Sequence, residues 1–116
     1  TMSVNYQLAA LFPRYEPPEM EANWNALKRR LPIGASVNGR VVHRESFGVF
    51  VDIGVGFPAL ILVVRLKNAD MTPYTSMDMY PAVNAEVDGR IYVFDDDKHQ
   101  VGVTQQPRES WMIGDW

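Results

Sequence analysis

The sequence predicts an all-β fold, a small closed barrel of five antiparallel strands with one N-terminal α-helix. Two observations carry this prediction: apolar residues alternate with polar ones in short segments from residue 34 onward, and one earlier segment repeats its apolar residues at helical spacing. The chain has 116 residues and 47% hydrophobic content, which suffices for one domain with its own core.

The helix is predicted over about residues 19–31. Acidic residues lie in its first turn and three basic residues, Lys28 to Arg30, in its last, and Pro32 ends it. We expect it to cap the domain by burying Trp24, and a contact between the basic residues and a nucleic acid is the alternative. The apolar side chains at helical spacing are Met20, Trp24, Leu27 and Leu31.

Three strands are predicted in the first half of the barrel, over about 37–42, 47–53 and 59–64. In the second strand Val49, Val51 and Ile53 alternate with Phe50 and Asp52, so the valine face is predicted to be core and Phe50 to point away from it. The third strand is a continuous apolar run of strand length that is rich in β-branched residues.

A long connection over residues 67–81 precedes the last two strands. Residues 83–94 alternate along their whole length, which predicts Val93 inside and Phe94 outside, and residues 100–104 return after a turn at 95–98. Five strands with a long connection between the third and fourth indicate an OB-fold Greek-key barrel. We therefore divide the chain into an N-terminal extension (1–33), the barrel (34–104) and an apolar C-terminal tail (105–116).

Two aromatic residues flank a glycine at the start of the second strand. A regular strand would send Phe47 and Phe50 to opposite faces, but Gly48 permits a bend that lets both rings share one surface. Exposed rings stack on any base, at about 1–3 kcal/mol each. The pair therefore indicates a single-stranded nucleic-acid platform, and the alternative is that one or both rings close the barrel core.

The charge is acidic overall and unevenly distributed. The net charge is −3 and the pI is near 5.2, which does not match the basic footprint of most nucleic-acid binders. Residues 67–116 carry nine acidic and four basic groups, whereas residues 31–66 carry two and three. Arg40, Arg44 and Arg65 could thus form a local positive strip, and we expect modest, salt-sensitive affinity.

Several function classes lack support in the sequence. There is no cysteine and there are two histidines, so neither a disulfide framework nor a metal site is expected. No nucleophile elbow or phosphate-binding loop is present, so we expect no enzyme and no cofactor. No long apolar run or charged leader is present either, which predicts a cytoplasmic protein with no membrane contact.

Residues 34–104 resemble the RNA-binding domain named after the repeats of ribosomal protein S-one, an OB-fold module. The resemblance rests on Gly34-x-x-Val37-x-Gly39-x-Val41, on Phe47-Gly-Val-Phe-Val-Asp-Ile-Gly54, on Val87 to Asp95 and on Val101-x-Val103-Thr104. It implies binding of single-stranded RNA across the second and third strands, with Phe47 and Phe50 as the stacking pair.

The resemblance also implies further contact residues. Leu62 fills the place of a common third-strand histidine, Asp95 matches an aspartate that ends the fourth strand, and His99, with Lys98 beside it, falls near a basic position. We add Arg40 and Arg44 as phosphate contacts. The alternative function is a degenerate OB-fold that acts as a protein interaction module, with the C-terminal tail as a possible contact for a protein partner.

Overall fold

The structure, a computed structural model, describes Phe12 and residues 20–67 and 77–106. Two short 3-10 turns, Val63–Arg65 and Met77–Met79, flank the connection between the third and fourth strands. The predicted helix and the five predicted strands are confirmed, whereas most of the C-terminal tail lies outside the described residues. The elements are α1 (Met20–Arg30), β1 (Ser36–Glu45), β2 (Gly48–Asp52), β3 (Ala59–Leu62), β4 (Glu86–Asp95) and β5 (Gln100–Thr104).

The five strands close into a barrel in the order β1-β2-β3-β5-β4. Four of the neighbouring pairs are antiparallel, but β3 and β5 run parallel. The prediction of a purely antiparallel barrel is therefore wrong for this pair. The reason is parity: strand direction cannot alternate all the way around a closed ring with an odd number of strands, so one neighbouring pair must be parallel.

The barrel interior is built from the inward faces of the alternating strands. Each valine or isoleucine side chain stabilises the fold by about 1.5–3 kcal/mol when it is fully removed from water. Val49 and Val51 are buried there, as the alternation of β2 predicts. The fully or almost fully buried strand residues of this core are Val41, Val49, Val51, Ala59, Ile61, Ile91, Val101 and Val103.

Strand β4 departs from the predicted alternation near its end. Its pairing with β5 shifts register between Ile91 and Val93, so one extra residue enters β4 and the faces exchange. Val93 is 37% exposed, and Phe94 packs against the core instead. The predicted orientation of these two residues is therefore wrong, because a bulge reverses the period-two pattern beyond it.

Helix α1 packs against the barrel through Trp24 and Leu27, both buried. The indole of Trp24 meets the ring of Phe57 edge-on at 5.1 Å and that of Phe94 at 5.6 Å. The capping role predicted for the helix is thus confirmed. Within the described ranges, no helix has the length and apolar character needed to cross a membrane.

Candidate nucleic-acid interface

Gly48 sets the geometry at the start of β2. A Cβ at this position would lie 2.3 Å from the carbonyl oxygen of Ile61 and 2.9 Å from the Cα of Leu62, so β3 could not pass as closely beside any other residue. Phe47 comes directly before Gly48 in the chain. Its ring centroid lies 5.9 Å from that of Phe50, at an interplanar angle of 89°. The two rings are therefore neighbours, in an edge-to-face arrangement.

A bulge in β1 brings a histidine to the same surface. The pairing of β1 with β2 shifts between Val41 and His43, and His43 then lies directly opposite Phe50. The two rings are 6.0 Å apart and tilted by 32°. A ring nitrogen of His43 also lies 2.9 Å from a carboxylate oxygen of Glu45. The shift thus moves His43 away from the core side that simple alternation would give it.

The outward side chains of β1, β2 and β3 form one continuous surface, which we call the outer face. Phe50 pairs with Leu60 across β2 and β3, while Ala59 and Ile61 of β3 are turned into the core. Alternation then places Leu62 outward with Leu60. The outer face consists of Arg40, Val42, His43, Phe47, Phe50, Leu60 and Leu62.

The two phenylalanines differ sharply in exposure. Phe47 is 42% exposed, whereas Phe50 is only 1% exposed. Among the described residues, Phe12 of the N-terminal extension, also 1% exposed, forms a cluster with Phe50 against which Val42 and Leu60 pack. Phe50 is therefore covered on the outside of the barrel and does not belong to the barrel core.

Beyond β3 the sheet continues with β5, where a glycine, Gly102, lies beside Leu60. Leu60 pairs with Gly102, whose missing Cβ would lie 2.4 Å from Val93 and 3.1 Å from the ring of Tyr92. The guanidinium of Arg65 lies 4.6 Å above that tyrosine ring. Beyond Gly102 the outer face thus continues to a further aromatic side chain, Tyr92, with an arginine over it.

The two predicted phosphate contacts on β1 lie on opposite sides of the sheet. Arg40 pairs with Asp52, which follows Phe50 by two residues and so points outward with it, and the Arg40 guanidinium lies 4.0 Å from Glu86. Arg44 pairs with the core residue Val49 and donates a hydrogen bond to the carbonyl oxygen of Met77 at 3.1 Å. The structure brings Arg40 to the outer face and uses Arg44 to hold the connection before β4.

The turn between β4 and β5 contains the other three predicted site residues. Asp95 accepts backbone hydrogen bonds from Asp97 and Lys98, both at 3.1 Å, and so stabilises the turn itself. His99 is buried, hydrogen-bonds Glu21 of α1 and lies edge-on to Trp24 at 5.4 Å. Lys98 is exposed. His99 is therefore part of the contact between the turn and α1.

Asp96 joins the same turn to α1. Its carboxylate accepts hydrogen bonds from the ammonium of Lys28 and from the indole N–H of Trp24, both at 2.7 Å. The hydrogen bond from Lys28, followed by that from Trp24, lowers the pKa of Asp96 below its ordinary value of 3.8. The turn and the helix are thus joined by a charged carboxylate at neutral pH.

The predicted site residues therefore lie in three places. Phe47, Phe50, Leu62 and Arg40 share the outer face, whereas the residues of the β4–β5 turn are next to α1. Arg44 is apart from both and is hydrogen-bonded to the carbonyl oxygen of Met77. Two further residues of the outer face are absent from the predicted set. His43 could have been found only by foreseeing the bulge in β1, and Phe12 has no periodic pattern around it that would mark a contact with the barrel.

A polar groove of about 670 Å³ lies between β1 and β4 and meets the outer face at Arg40. Its walls alternate in charge, so it presents no single sign to a ligand. Among the described residues, no cluster of three or more His, Asp or Glu side chains could hold a metal ion. The charged residues that line the polar groove are Arg40, Asp52, Lys67, Glu86 and Asp88.

Comparisons by sequence find no relative: no protein-family model matches the chain, and no curated protein does. Comparisons by structure do find similar folds. GSP13 from Bacillus subtilis superposes with a TM-score of 0.54 at 16% identity, over 70% of this chain and 63% of that one. A protein assigned as an exosome complex RNA-binding protein superposes with a TM-score of 0.55 at 20% identity, over 73% of this chain and 49% of that one.

A third similar structure comes from an assembly that contains RNA. A chain of the a/eIF2alpha, aDim2p and rRNA complex from Pyrococcus horikoshii OT3 superposes with a TM-score of 0.55 at 16% identity, over 65% of this chain and 44% of that one. The chain thus spans less than two thirds of the length of each of these proteins. At these identities the likeness establishes the fold: an OB-fold barrel of the kind that the resemblance to the S-one domain predicts.

Proposed function

We propose that this protein binds single-stranded RNA on the outer face, without catalysis, by stacking bases on Phe47 and Phe50. The observation that carries the proposal is the pair of adjacent rings on the outer side of β2 in an OB-fold barrel. Two of the structurally similar chains come from an RNA-binding protein and from a complex with rRNA, which supports RNA as the ligand.

The ring geometry favours a single strand over a duplex. The planes of Phe47 and Phe50 are nearly perpendicular, so bases stacked on the two rings would be turned relative to each other. The bases of a duplex are parallel and already stacked, whereas those of a single strand can splay apart. We therefore expect a short single-stranded RNA to bind more tightly than the same sequence in a duplex.

The electrostatic contribution to binding should be small. Two carboxylates accompany Arg40 on the outer face: outward Asp52 is opposite it, and Glu86 lies 4.0 Å from it. The guanidinium of Arg65, further along the surface, lies over Tyr92. For single strands, the logarithm of the affinity falls by about 0.7 per logarithmic unit of salt for each neutralised phosphate. A slope on the order of −1 is expected for this face, much shallower than that of a strongly basic binder.

Phe47 is the residue on which to test the proposal. Its side chain is 42% exposed, so Phe47→Ala should leave the free energy of unfolding within about 0.5 kcal/mol of wild type while it weakens RNA binding by about 1–3 kcal/mol. The measurement is fluorescence anisotropy of a labelled single-stranded RNA of mixed sequence at low salt. Phe50→Ala is less informative, because truncation of a buried phenylalanine costs about 3–5 kcal/mol in stability.

Val83→Ala is the matched control, since Val83 is an equally exposed apolar side chain, at 46%, that precedes β4 and is not part of the outer face. It should bind RNA as wild type does. Equal affinity of Phe47→Ala and wild type would contradict the stacking role of Phe47.

One observation favours a second candidate function, a protein interaction module. Aliphatic Leu62 stands where a histidine is common, and Met77 and Met79 are exposed in a 3-10 turn. Arg44 donates a hydrogen bond to the carbonyl oxygen of Met77, and the hydroxyl of Tyr80 donates one to that of Ser46. Such an apolar end could bind another protein. Absence of RNA binding at low salt, in wild type and in its variants alike, would favour this second function.

A further inference from the structure

Phe12 and Phe50 form an apolar cluster that is separate from the barrel core. Each of the two side chains is 1% exposed, and the partly buried residues packed against them are Val42 and Leu60. The barrel core has its own set of residues on the inner side of the same strands. Phe12 thus packs against the outside of a sheet whose inside is already filled.

This position places Phe12 outside the barrel core. Its side chain is 1% exposed, so truncation should lower the stability of the protein but should not disrupt the barrel interior. A side chain that fills a core leaves a cavity when it is removed, whereas one that covers an outer surface leaves that surface open to solvent. Truncation of Phe12 should therefore uncover Phe50 without emptying the barrel interior.

The surface that Phe12 covers is the one on which a base would stack. A phenylalanine ring and a nucleobase both bind an aromatic surface through a flat apolar face. Because Phe12 belongs to the same chain, it competes with bases as an intramolecular partner, at a higher effective concentration than a ligand free in solution. Phe47, at 42% exposure, is left accessible beside the covered ring.

We infer that Phe12 is an intramolecular competitor of RNA: it occupies the stacking surface of Phe50 in the free protein and leaves it when a base binds there. This inference rests on the proposed function and adds regulation to the same site. Phe47 makes the first contact, and displacement of Phe12 then opens the second stacking position. The apparent affinity for RNA is reduced by the fraction of molecules in which Phe12 covers Phe50.

The test compares the full-length wild type with Phe12→Ala in the anisotropy experiment. If Phe12 covers Phe50 in about nine molecules of ten, Phe12→Ala should bind the RNA about tenfold more tightly than wild type. Leu31→Ala is the control, because Leu31 packs against the barrel core and its truncation loosens α1 without uncovering Phe50. This control should leave the RNA affinity unchanged.

A second measurement follows the contact itself. Nuclear Overhauser effects between the rings of Phe12 and Phe50 should be present in the free protein and lost in saturating RNA. RNA binding by Phe12→Ala with none by wild type would also support the inference.

Two results would overturn it, and they differ in what they say about RNA binding. Equal or weaker affinity of Phe12→Ala, or effects between the two rings that persist in bound wild type, would refute the competition while RNA binding itself stands. Failure of both wild type and Phe12→Ala to bind at low salt would refute the proposed function, and the inference with it.

Discussion

Gly48 is the residue on which the outer face depends. The backbone of β3 passes it so closely that a Cβ would lie 2.3 Å from the carbonyl oxygen of Ile61. That atom belongs to the backbone and cannot rotate away, so the strands would have to separate. Phe47, which directly precedes Gly48, is placed beside Phe50 by this close approach.

Gly48→Ala should therefore lower both stability and RNA binding. We expect a loss of about 1–3 kcal/mol, typical of forced overpacking, which lowers the melting temperature by about 4–8 °C per kcal/mol in a domain of this size. The change in melting temperature is measured by thermal unfolding that is monitored by circular dichroism. Ser46→Ala, an exposed change in the same turn, should melt as wild type does, and an unchanged melting temperature for Gly48→Ala would contradict the close approach.

At the scale of single residues, the sequence predicted the neighbours of Gly48 better than the rest of the outer face. The alternation of β2 and the glycine between two aromatics were enough to foresee that Phe47 and Phe50 are adjacent. His43 was not foreseen, because it faces outward only after a register shift in β1. Phe12 was not foreseen either, because no periodic pattern surrounds it in the sequence.

At the scale of elements, helix α1 and the β4–β5 turn form one unit. Trp24 lies in the core and its indole N–H reaches Asp96, which also accepts a hydrogen bond from Lys28. Buried His99 is hydrogen-bonded to Glu21 of the same helix. The helix thus binds a turn that lies 68 to 78 residues further along the chain.

Asp96→Asn should weaken this connection in a pH-dependent way. The pKa of Asp96 is lowered in the folded protein, so the charged carboxylate stabilises the fold above its unfolded pKa and this contribution is lost as the pH falls through the folded value. The urea midpoint of Asp96→Asn should be below that of wild type at pH 7, and the difference should shrink as the pH falls below 3.8.

Asp97→Asn, a change at an exposed position of the same turn, is the control and should follow wild type at every pH. A difference between Asp96→Asn and wild type that stays constant from pH 7 to well below 3.8 would show that the charge of Asp96 does not contribute.

The periodicity of α1 predicted that Trp24 would be buried, and the structure confirms it. Periodicity could not reveal that the helix would also form hydrogen bonds with residues of the β4–β5 turn. Propensity and alternation act over a few residues, whereas these hydrogen bonds join segments that meet only in the closed barrel. His99, predicted as an RNA contact, is for this reason found in the helix interface.

At the scale of the whole molecule, the barrel was predictable and one detail of its closure was missed. Five alternating segments and their turns indicated the strands, but the expectation of antiparallel pairs throughout failed at β3 and β5. The odd number of strands requires one parallel pair when the ring closes. The parallel pair follows only from closure of the ring in a given strand order, and the sequence pattern does not contain that order.

The central claim is that the outer face binds single-stranded RNA, and an NMR titration of the isotopically labelled protein tests it most directly. A short single-stranded RNA of mixed sequence is added at low and at moderate salt. The predicted result is a set of shifts that cluster on Phe47, Phe50, Leu62 and His43, leave the hydrogen-bonded Trp24 indole unmoved and shrink modestly with salt. No shifts at low salt, or shifts confined to α1 and the β4–β5 turn, would contradict the claim.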